Sequence, residues 1–240
     1  MRILIIRHGE PDYEHDTLTE KGVREAKLLA DKLEKEKIEY FYVSPLGRAR
    51  ETAAPTLERF GQKEIIKDWL QEFCVPVVRD DGTPYGLPWD IMPREWMTHP
   101  ENFSIDKWQD TALTKSGDVE KEYNKVTSSL DELLKNHGYE RNGMYYNAIN
   151  ANHDTIAFFC HFGLESVLLS HLLNLPVYVL WHATCALPTS VTTLYTEERE
   201  EGIASFRMTS FGDVSHLYNY GEEPSFHARF CETYLDGTRH

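Results

Sequence analysis

The feature that most constrains the fold is an apolar stretch followed by an amphipathic stretch, a unit that occurs twice in the first 60 residues. Residues 2–6 (RILII) are β-branched or aliphatic apart from Arg2, and Gly9 and Pro11 follow them. This pattern predicts a buried strand that ends in a loop. Thr19 is a suitable helix N-cap. After it, apolar residues recur at helical spacing, namely Val23, Ala26, Ala30 and Leu33.

A second unit of the same kind follows directly. Residues 40–43 predict a short strand, and Ser44 and Pro45 then turn the chain into another helix. The expected buried face of that helix is formed by Ala49, Ala53, Thr56 and Leu57. The order strand, helix, strand, helix is typical of parallel sheets. The sequence therefore predicts an α/β fold, a three-layer sandwich in which a mostly parallel central sheet carries helices on both faces.

The rest of the chain predicts further elements and one irregular region. A third strand is expected at 63–67, an amphipathic helix from Val119 to about Gly138, a strand over 155–160 and two late strands. The late strands are expected at Val191–Tyr195 and Ile203–Met208. Between about 73 and 116 five prolines interrupt any period, and several tryptophans occur in and beside this stretch. So many large aromatic residues do not suit a disordered linker. We therefore expect one domain over 1–240 with an inserted, lid-like region at approximately 73–116.

Composition limits the partners and the compartment. The 25 Lys and Arg residues against 39 Asp and Glu residues give a formal charge of −14, which argues against nucleic acid or an anionic membrane as a partner. No segment is apolar over the length of a membrane span, and the N-terminal stretch is too short for a signal peptide. The four cysteines are widely spaced and form no C-x-x-C pair, which favours a reducing cytoplasm.

Polar or cationic residues follow three of the predicted strands. Arg7 and His8 follow the first, the stretch from Ser44 to Arg48 follows the second, and His161 follows the strand at 155–160. Any one of them alone would be read as a surface ion pair or a hydrogen-bonded turn residue. Because ligands bind at the carboxyl ends of strands in open α/β sheets, the three loops should converge on one crevice. Two arginines and two histidines gathered there suit a dianionic phosphate.

Three segments carry a resemblance to a known family. "LIIRHGE" (4–10), "LTEKGVREA" (18–26) and "SPLGRARETA" (44–53) resemble, in order, the first motifs of the histidine phosphatase superfamily, the phosphoglycerate mutase-like proteins. "FFCHFGLESVLL" (158–169) is similar to the late strand, histidine and helix motif of that family. Phe162 departs from the small residue that usually follows the histidine there.

The resemblance implies roles for five residues. Arg7, His8, Arg48 and His161 would form the phosphate pocket, with His8 taking the phosphoryl group. Glu72 in "LQEF" would be the general acid, although Cys74, Val75 and Pro76 stand where the family commonly has glycine and tryptophan. A solvated surface carboxylate is the alternative interpretation of Glu72. The implied catalytic set is thus His8, Glu72 and His161, with no metal and no cofactor.

The chemistry of these residue types agrees with those roles. A histidine attacks phosphorus through a free nitrogen lone pair, and neighbouring positive charges lower its pKa and keep it neutral. A carboxylic acid can protonate the leaving alkoxide and later accept a proton from the attacking water. On the loop after His8, Glu10, Asp12 and His15 could orient the substrate or simply be solvated.

The predicted function is a phosphomonoesterase that hydrolyses a small organic phosphate through a phosphohistidine intermediate. A cofactor-dependent phosphoglycerate mutase-type phosphoryl transferase and a non-catalytic phospho-ligand-binding protein are the alternatives. The expected partner is a small-molecule phosphate ester; the sequence decides neither which ester nor the oligomeric state. The tryptophans of the insertion suggest a bulky or partly apolar organic group.

Overall fold

The computed structural model describes residues 1–79, 82–227 and 229–230, and of Tyr85 the backbone only. Cys231 therefore lies outside the described residues. The strands are β1 (Arg2–Arg7), β2 (Pro11–Asp12), β3 (Thr17–Leu18), β4 (Tyr40–Val43), β5 (Ile65–Ile66), β6 (Val77–Val78), β7 (Pro84–Gly86), β8 (Tyr139–Asn142), β9 (Tyr145–Ala148), β10 (Thr155–Cys160), β11 (Val191–Glu200) and β12 (Ile203–Asp213). The helices are α1 (Glu20–Leu33), α2 (Gly47–Phe60), α3 (Pro93–Met97), α4 (Ala112–Lys115), α5 (Val119–Asn136), α6 (Phe162–Leu173), α7 (Val177–Ala183) and α8 (Ser215–Tyr218).

Eight strands form one sheet in the order β5-β4-β10-β1-β11-β12-β9-β8. The half from β5 to β1 is parallel throughout, and only β11 and β9 run against the direction of β1. In the register, Arg7 at the end of β1 lies opposite Cys160, and Phe159 lies opposite Val43. The ends of β1, β10 and β4 therefore meet at one edge. The predicted α/β class with a mostly parallel sheet is confirmed.

The alternation of side chains along β1 divides the core into two layers. Ile3 and Ile5 point to one face and join a cluster with residues of α5, α6 and α7. Leu4 and Ile6 point to the other face and join a cluster with α1 and α2. Because successive strand residues face opposite sides, a strand with apolar residues at every position is covered on both faces. The predicted helices on both faces are present.

The first helix begins where its sequence indicates. The Thr19 hydroxyl accepts a hydrogen bond from the backbone N–H of Gly22 at 3.1 Å, as expected of an N-cap. Ala26, Ala30 and Leu33 are buried as predicted. Val23 is 39% exposed, so its place on the buried face was predicted wrongly. The inward face of α1 runs one residue earlier, through Gly22.

Other element boundaries differ from the sequence prediction. The strand expected at 63–67 is reduced to β5, whereas β11 and β12 extend several residues beyond their predicted ends. The hairpin of β8 and β9 and the short helix α7 had not been predicted. No helix in the described part of the chain is long and apolar enough to cross a membrane.

The segment from 73 to 116 is built of short pieces that pack against the larger core cluster. Trp96 and Trp108 are buried in it, and Trp108 packs against Tyr123 with 4.8 Å between ring centroids. Trp96 stacks on His182 at 4.9 Å. These two tryptophans are thus structural, and Trp89 is the partly exposed one of the segment. That the segment acts as a lid stays a prediction.

Candidate active site

Three strand ends place the predicted residues at one edge of the sheet. The backbone N–H of His8 donates to the carbonyl of Cys160 at 3.0 Å, and the N–H of Ser44 donates to the carbonyl of Phe159 at 3.0 Å. The ladder hydrogen bonds therefore continue one residue past β1 and β4. Because these bonds fix the first residue of each loop, the side chains that follow start from a rigid base.

His8 is held with one ring nitrogen occupied. Its Nδ1 lies 2.8 Å from the carbonyl oxygen of Gly9, and since a carbonyl only accepts, Nδ1 carries the proton. Neutral His8 then has its lone pair on Nε2. Burial, followed by the charges of Arg7 and Arg48, holds the pKa of His8 well below its usual value. The site therefore keeps His8 neutral and nucleophilic.

His161 lies beside His8, with 5.1 Å between the ring centroids. Its Nε2 lies 2.8 Å from the Ser44 hydroxyl, whereas its buried Nδ1 has no hydrogen-bond partner. Burial, then the charges of His8, Arg48 and Arg7, lower the pKa of His161 well below its usual value. A neutral imidazole with one free, buried nitrogen is thus directed into the space next to His8.

The two arginines enter the same space from different elements. Arg7 ends β1 and donates through Nη1 to the carbonyl of Ala186 at 2.6 Å. Arg48 opens α2 and donates to the Asp16 carboxylate at 2.5 Å, while the same carboxylate accepts the N–H of Gly47 at 2.7 Å. The Nε of each arginine is buried and has no partner. A buried N–H donor without an acceptor destabilises the folded protein, and a bound anion would supply acceptors for both of these donors.

Glu72 lies in the loop after residues 68–70, and its carboxylate contacts the first turn of α6. Its Oε1 accepts the N–H of Phe73 at 2.7 Å and the N–H of Leu164 at 3.0 Å. Burial raises the pKa of Glu72, against the lowering effect of these N–H groups and of Arg7. A Cβ on Gly163 would lie 2.7 Å from this oxygen and 2.5 Å from the Trp89 indole, so only glycine fits there. The carboxyl is therefore held in place, and burial keeps its pKa above the ordinary value for a glutamate.

A second carboxyl near the site had not been singled out from the sequence. Glu165, in the first turn of α6, is 1% exposed, and both of its carboxyl oxygens are buried. Burial raises its pKa to about 7, and the charge of nearby Glu72 adds to the shift. Its signal in the sequence was a lone acidic residue among the apolar residues of α6. Because its oxygens are sealed from solvent, Glu72 is the carboxyl available to a substrate.

The loop after His8 forms the rim of the site. The Tyr13 ring lies 6.4 Å from the ring of His8, and the Arg48 guanidinium lies 5.4 Å above the Tyr13 ring centroid. His15 and Asp12, which were considered as substrate-orienting residues, pair with each other at 2.8 Å on the exposed side of the loop. Glu10 accepts the Thr19 hydroxyl at 2.9 Å. Tyr13 and Asp16 thus take the rim positions, and no strand pattern marks either residue.

The structure brings Arg7, His8, Arg48 and His161 together, and Glu72 lies near enough to Arg7 for the arginine charge to act on its pKa. Phe162, which departs from the family pattern, is buried and lies under the Arg7 guanidinium at 6.0 Å. Within the described residues no group of three or more His, Cys, Asp and Glu side chains is arranged to hold a metal ion. The arrangement can bind a tetrahedral anion and present a neutral imidazole to it, with the carboxyl of Glu72 near Arg7 as a proton donor.

Comparisons with known proteins identify similar sequences and structures. The sequence model of the histidine phosphatase superfamily (branch 1) matches residues 3–209. Phosphoserine phosphatase 1 of Hydrogenobacter thermophilus is 22% identical over 220 residues, 87% of this chain and 93% of that protein. The adenosylcobalamin/alpha-ribazole phosphatase of Salmonella typhi is 25% identical over 194 residues, 76% of this chain and 84% of the relative.

Solved structures share the fold. A phosphoserine phosphatase mutant from Entamoeba histolytica in complex with phosphoserine has a TM-score of 0.59 at 18% identity, over 90% of this chain and 98% of the other. A mycobacterial glucosyl-3-phosphoglycerate phosphatase has a TM-score of 0.59 at 21% identity, over 88% and 98%. At these identities the likeness establishes the architecture.

Proposed function

Because this chain belongs to the histidine phosphatase superfamily, branch 1, we propose that it is a phosphomonoesterase acting through a phosphohistidine on His8. The observation that carries the proposal is the set of buried donors without protein partners, the Nε of Arg7, the Nε of Arg48 and Nδ1 of His161. These donors come from three separate loops beside one neutral histidine. A phosphate group would satisfy all three at once.

The proposed binding step uses the charges and the ring nitrogens together. Arg7 and Arg48 would hold the non-bridging oxygens of the phosphate. Ser44 already accepts the Leu46 N–H at 3.3 Å, so we assign its hydroxyl proton to His161 Nε2, which leaves Nδ1–H of His161 to donate to the phosphate. Positioning and electrostatic stabilisation are most of what phosphoryl transfer requires.

The proposed reaction has two displacements. His8 Nε2 attacks phosphorus, the bond from phosphorus to the ester oxygen breaks, and Glu72 transfers its proton to that oxygen as the alcohol leaves. Glu72, now ionised, takes a proton from water, whose oxygen attacks the phosphohistidine and releases inorganic phosphate and neutral His8. The raised pKa of Glu72 supports its role as the acid in the first step.

The relatives support hydrolysis over phosphoryl transfer between sugars or acids, since those compared are phosphatases by name. We propose a small phosphate ester as substrate and the segment 73–116 as the cover of the pocket. The cytoplasmic location stays a prediction from the sequence.

The test is to look for the covalent intermediate. We expect the full-length protein to release phosphate from p-nitrophenyl phosphate and, when quenched during turnover of a ³²P-labelled ester, to carry an acid-labile, base-stable label. His8→Ala should lose both the label and the turnover. The matched control is His15→Ala, which removes an exposed histidine from the same loop and should keep both.

Each alternative has its own outcome. Isomerisation of 3-phosphoglycerate in the presence of 2,3-bisphosphoglycerate, without net release of phosphate, would replace the phosphatase by a mutase. Phosphate binding that is equal in the wild type and in His8→Ala, with neither protein labelled, would replace it by a binding protein.

A further inference from the structure

Three aromatic rings from distant parts of the chain meet beside the phosphate pocket. Trp89 comes from the 73–116 segment, Phe162 from the start of α6 and Phe230 from the C-terminal part of the chain. The ring centroids of Trp89 and Phe162 are 6.2 Å apart, those of Trp89 and Phe230 are 6.2 Å apart, and those of Phe162 and Phe230 are 5.8 Å apart. We call this group the aromatic wall.

The aromatic wall stands on the side of the pocket where the organic group of an ester would leave. The Trp89 indole and the Glu72 carboxylate oxygen both lie within 2.7 Å of the point that a Cβ on Gly163 would occupy, so they adjoin each other. The Trp89 Nε1–H donates to the carbonyl of Phe73 at 2.9 Å, which fixes the indole in that place. The alcohol part of the ester, whose oxygen Glu72 would protonate, must therefore lie next to the aromatic wall.

Two rings of the aromatic wall keep exposed surface, although Trp89 also packs against the larger core cluster. Phe162 and Phe230 are not among the described residues of either core cluster. Phe230 is 41% exposed and Trp89 is partly exposed, while Phe162 lies buried beneath them. Large apolar surface left open next to a charged pocket is typical of a ligand site, in which a few polar groups fix orientation and apolar surface supplies affinity.

The C-terminal part of the chain is tied to the pocket, which holds Phe230 near it. The N–H of Ser225 donates to the buried Glu25 carboxylate at 3.2 Å, and Arg7 donates to the carbonyl of His227 at 3.4 Å. Phe230 is thus joined to the site by contacts made several residues before it.

We propose that the aromatic wall is the subsite for the alcohol part of the substrate, and that this part is an apolar, uncharged group of about the size of a phenyl ring. The proposal rests on the phosphatase function proposed above. Burying such a group against the exposed surfaces of Trp89 and Phe230 favours it over a small polar alcohol by about tenfold or more.

The experiment compares 2-phenylethyl phosphate with ethyl phosphate, because the two alcohols differ in apolar surface and hardly in acidity. We expect the wild-type protein to prefer the phenylethyl ester by about tenfold or more in kcat/KM. Phe230→Ala should reduce this ratio to a few-fold. Tyr220→Ala, which removes a ring that is 63% exposed and lies outside the wall, should leave the ratio unchanged.

A binding measurement keeps the two proposals apart. The phosphonates 2-phenylethylphosphonate and ethylphosphonate cannot be hydrolysed, so their dissociation constants report the wall even without turnover. Equal kcat/KM values for the two esters with equal phosphonate affinities, or an unchanged ratio in Phe230→Ala, would overturn the subsite. Absence of ester hydrolysis with a retained preference for the phenylethylphosphonate would instead overturn the phosphatase function alone.

Discussion

At the scale of single residues, the carboxyl of Glu72 decides how fast an alcohol can leave. We predict that Glu72→Gln lowers kcat/KM for ethyl phosphate by about 10²–10⁴, because the amide keeps the hydrogen bonds from Phe73 and Leu164 but carries no acidic proton. With p-nitrophenyl phosphate, whose leaving group needs no proton, the first burst of nitrophenolate should be nearly retained. Hydrolysis of the phosphohistidine then lacks a general base, so the phosphoenzyme should accumulate in a quenched-flow measurement.

Glu64→Gln provides the control for this substitution, since Glu64 pairs with Arg50 on the surface of α2. Glu64→Gln should leave kcat/KM unchanged for both esters. An equal loss on both esters in Glu72→Gln, with no accumulation of label, would show that Glu72 holds structure rather than transferring a proton.

Residue types next to predicted strands could be identified from the sequence, and residues placed by loop geometry could not. Arg7, His8 and His161 follow apolar strands directly, so the rule for strand ends locates them. Asp16 holds Arg48 from a loop position with a left-handed backbone (φ 52°), which no periodic pattern indicates. The space at Gly163 depends on where Trp89 arrives from the 73–116 segment.

At the scale of elements, α1 is joined to the loop after His8 through its cap. The Thr19 hydroxyl accepts the Gly22 N–H at 3.1 Å and donates to the Glu10 carboxylate at 2.9 Å. We predict that Thr19→Ala lowers the free energy of unfolding by about 1 kcal/mol, measured by urea denaturation, because it leaves the first turn without a side-chain cap. Ser128→Ala, at an exposed position of α5, should stay within about 0.5 kcal/mol. Equal effects of the two substitutions would show that the cap adds nothing to stability.

Helices with a clear apolar face were easier to predict than strands at the sheet's far end. The buried positions of α2 and α5 follow a helical period that is strong in the sequence. By contrast β8, β9 and the distal parts of β11 and β12 are rich in charged and polar residues. The two hairpins are joined to each other by the pairing of β12 with β9, in which Ile203 lies opposite Asn147 and Ala204 opposite Tyr146. Single-sequence periodicity does not report such contacts between distant segments.

At the scale of the whole molecule, buried carboxyls make stability depend on pH. Burial raises the pKa of Glu165 to about 7 from an ordinary value of 4.5. Between these values the folded protein holds a proton that the unfolded chain releases. The free energy of unfolding therefore falls as the pH rises from about 4.5 through 7. The full change is about 3 kcal/mol.

We therefore predict that Glu165→Gln, which cannot ionise, gains stability relative to the wild type by about 3 kcal/mol between pH 4.5 and 8. The measurement is the difference between the two unfolding free energies from urea titrations across that range. If the two unfolding free energies differ by the same amount at every pH, the pKa of Glu165 is not raised in the folded protein.

The register of β1 with β10 and β4 has a consequence for how such a protein can diversify. The groups proposed to bind the phosphate lie at the ends of β1 and β10 and at the start of α2. The rings proposed to meet the alcohol come largely from peripheral segments. Those segments can be exchanged or lengthened while the reaction machinery is inherited intact. Grafting the 73–116 segment and the C-terminal residues onto another protein of this architecture should transfer the substrate preference and leave the reaction mechanism of that protein unchanged.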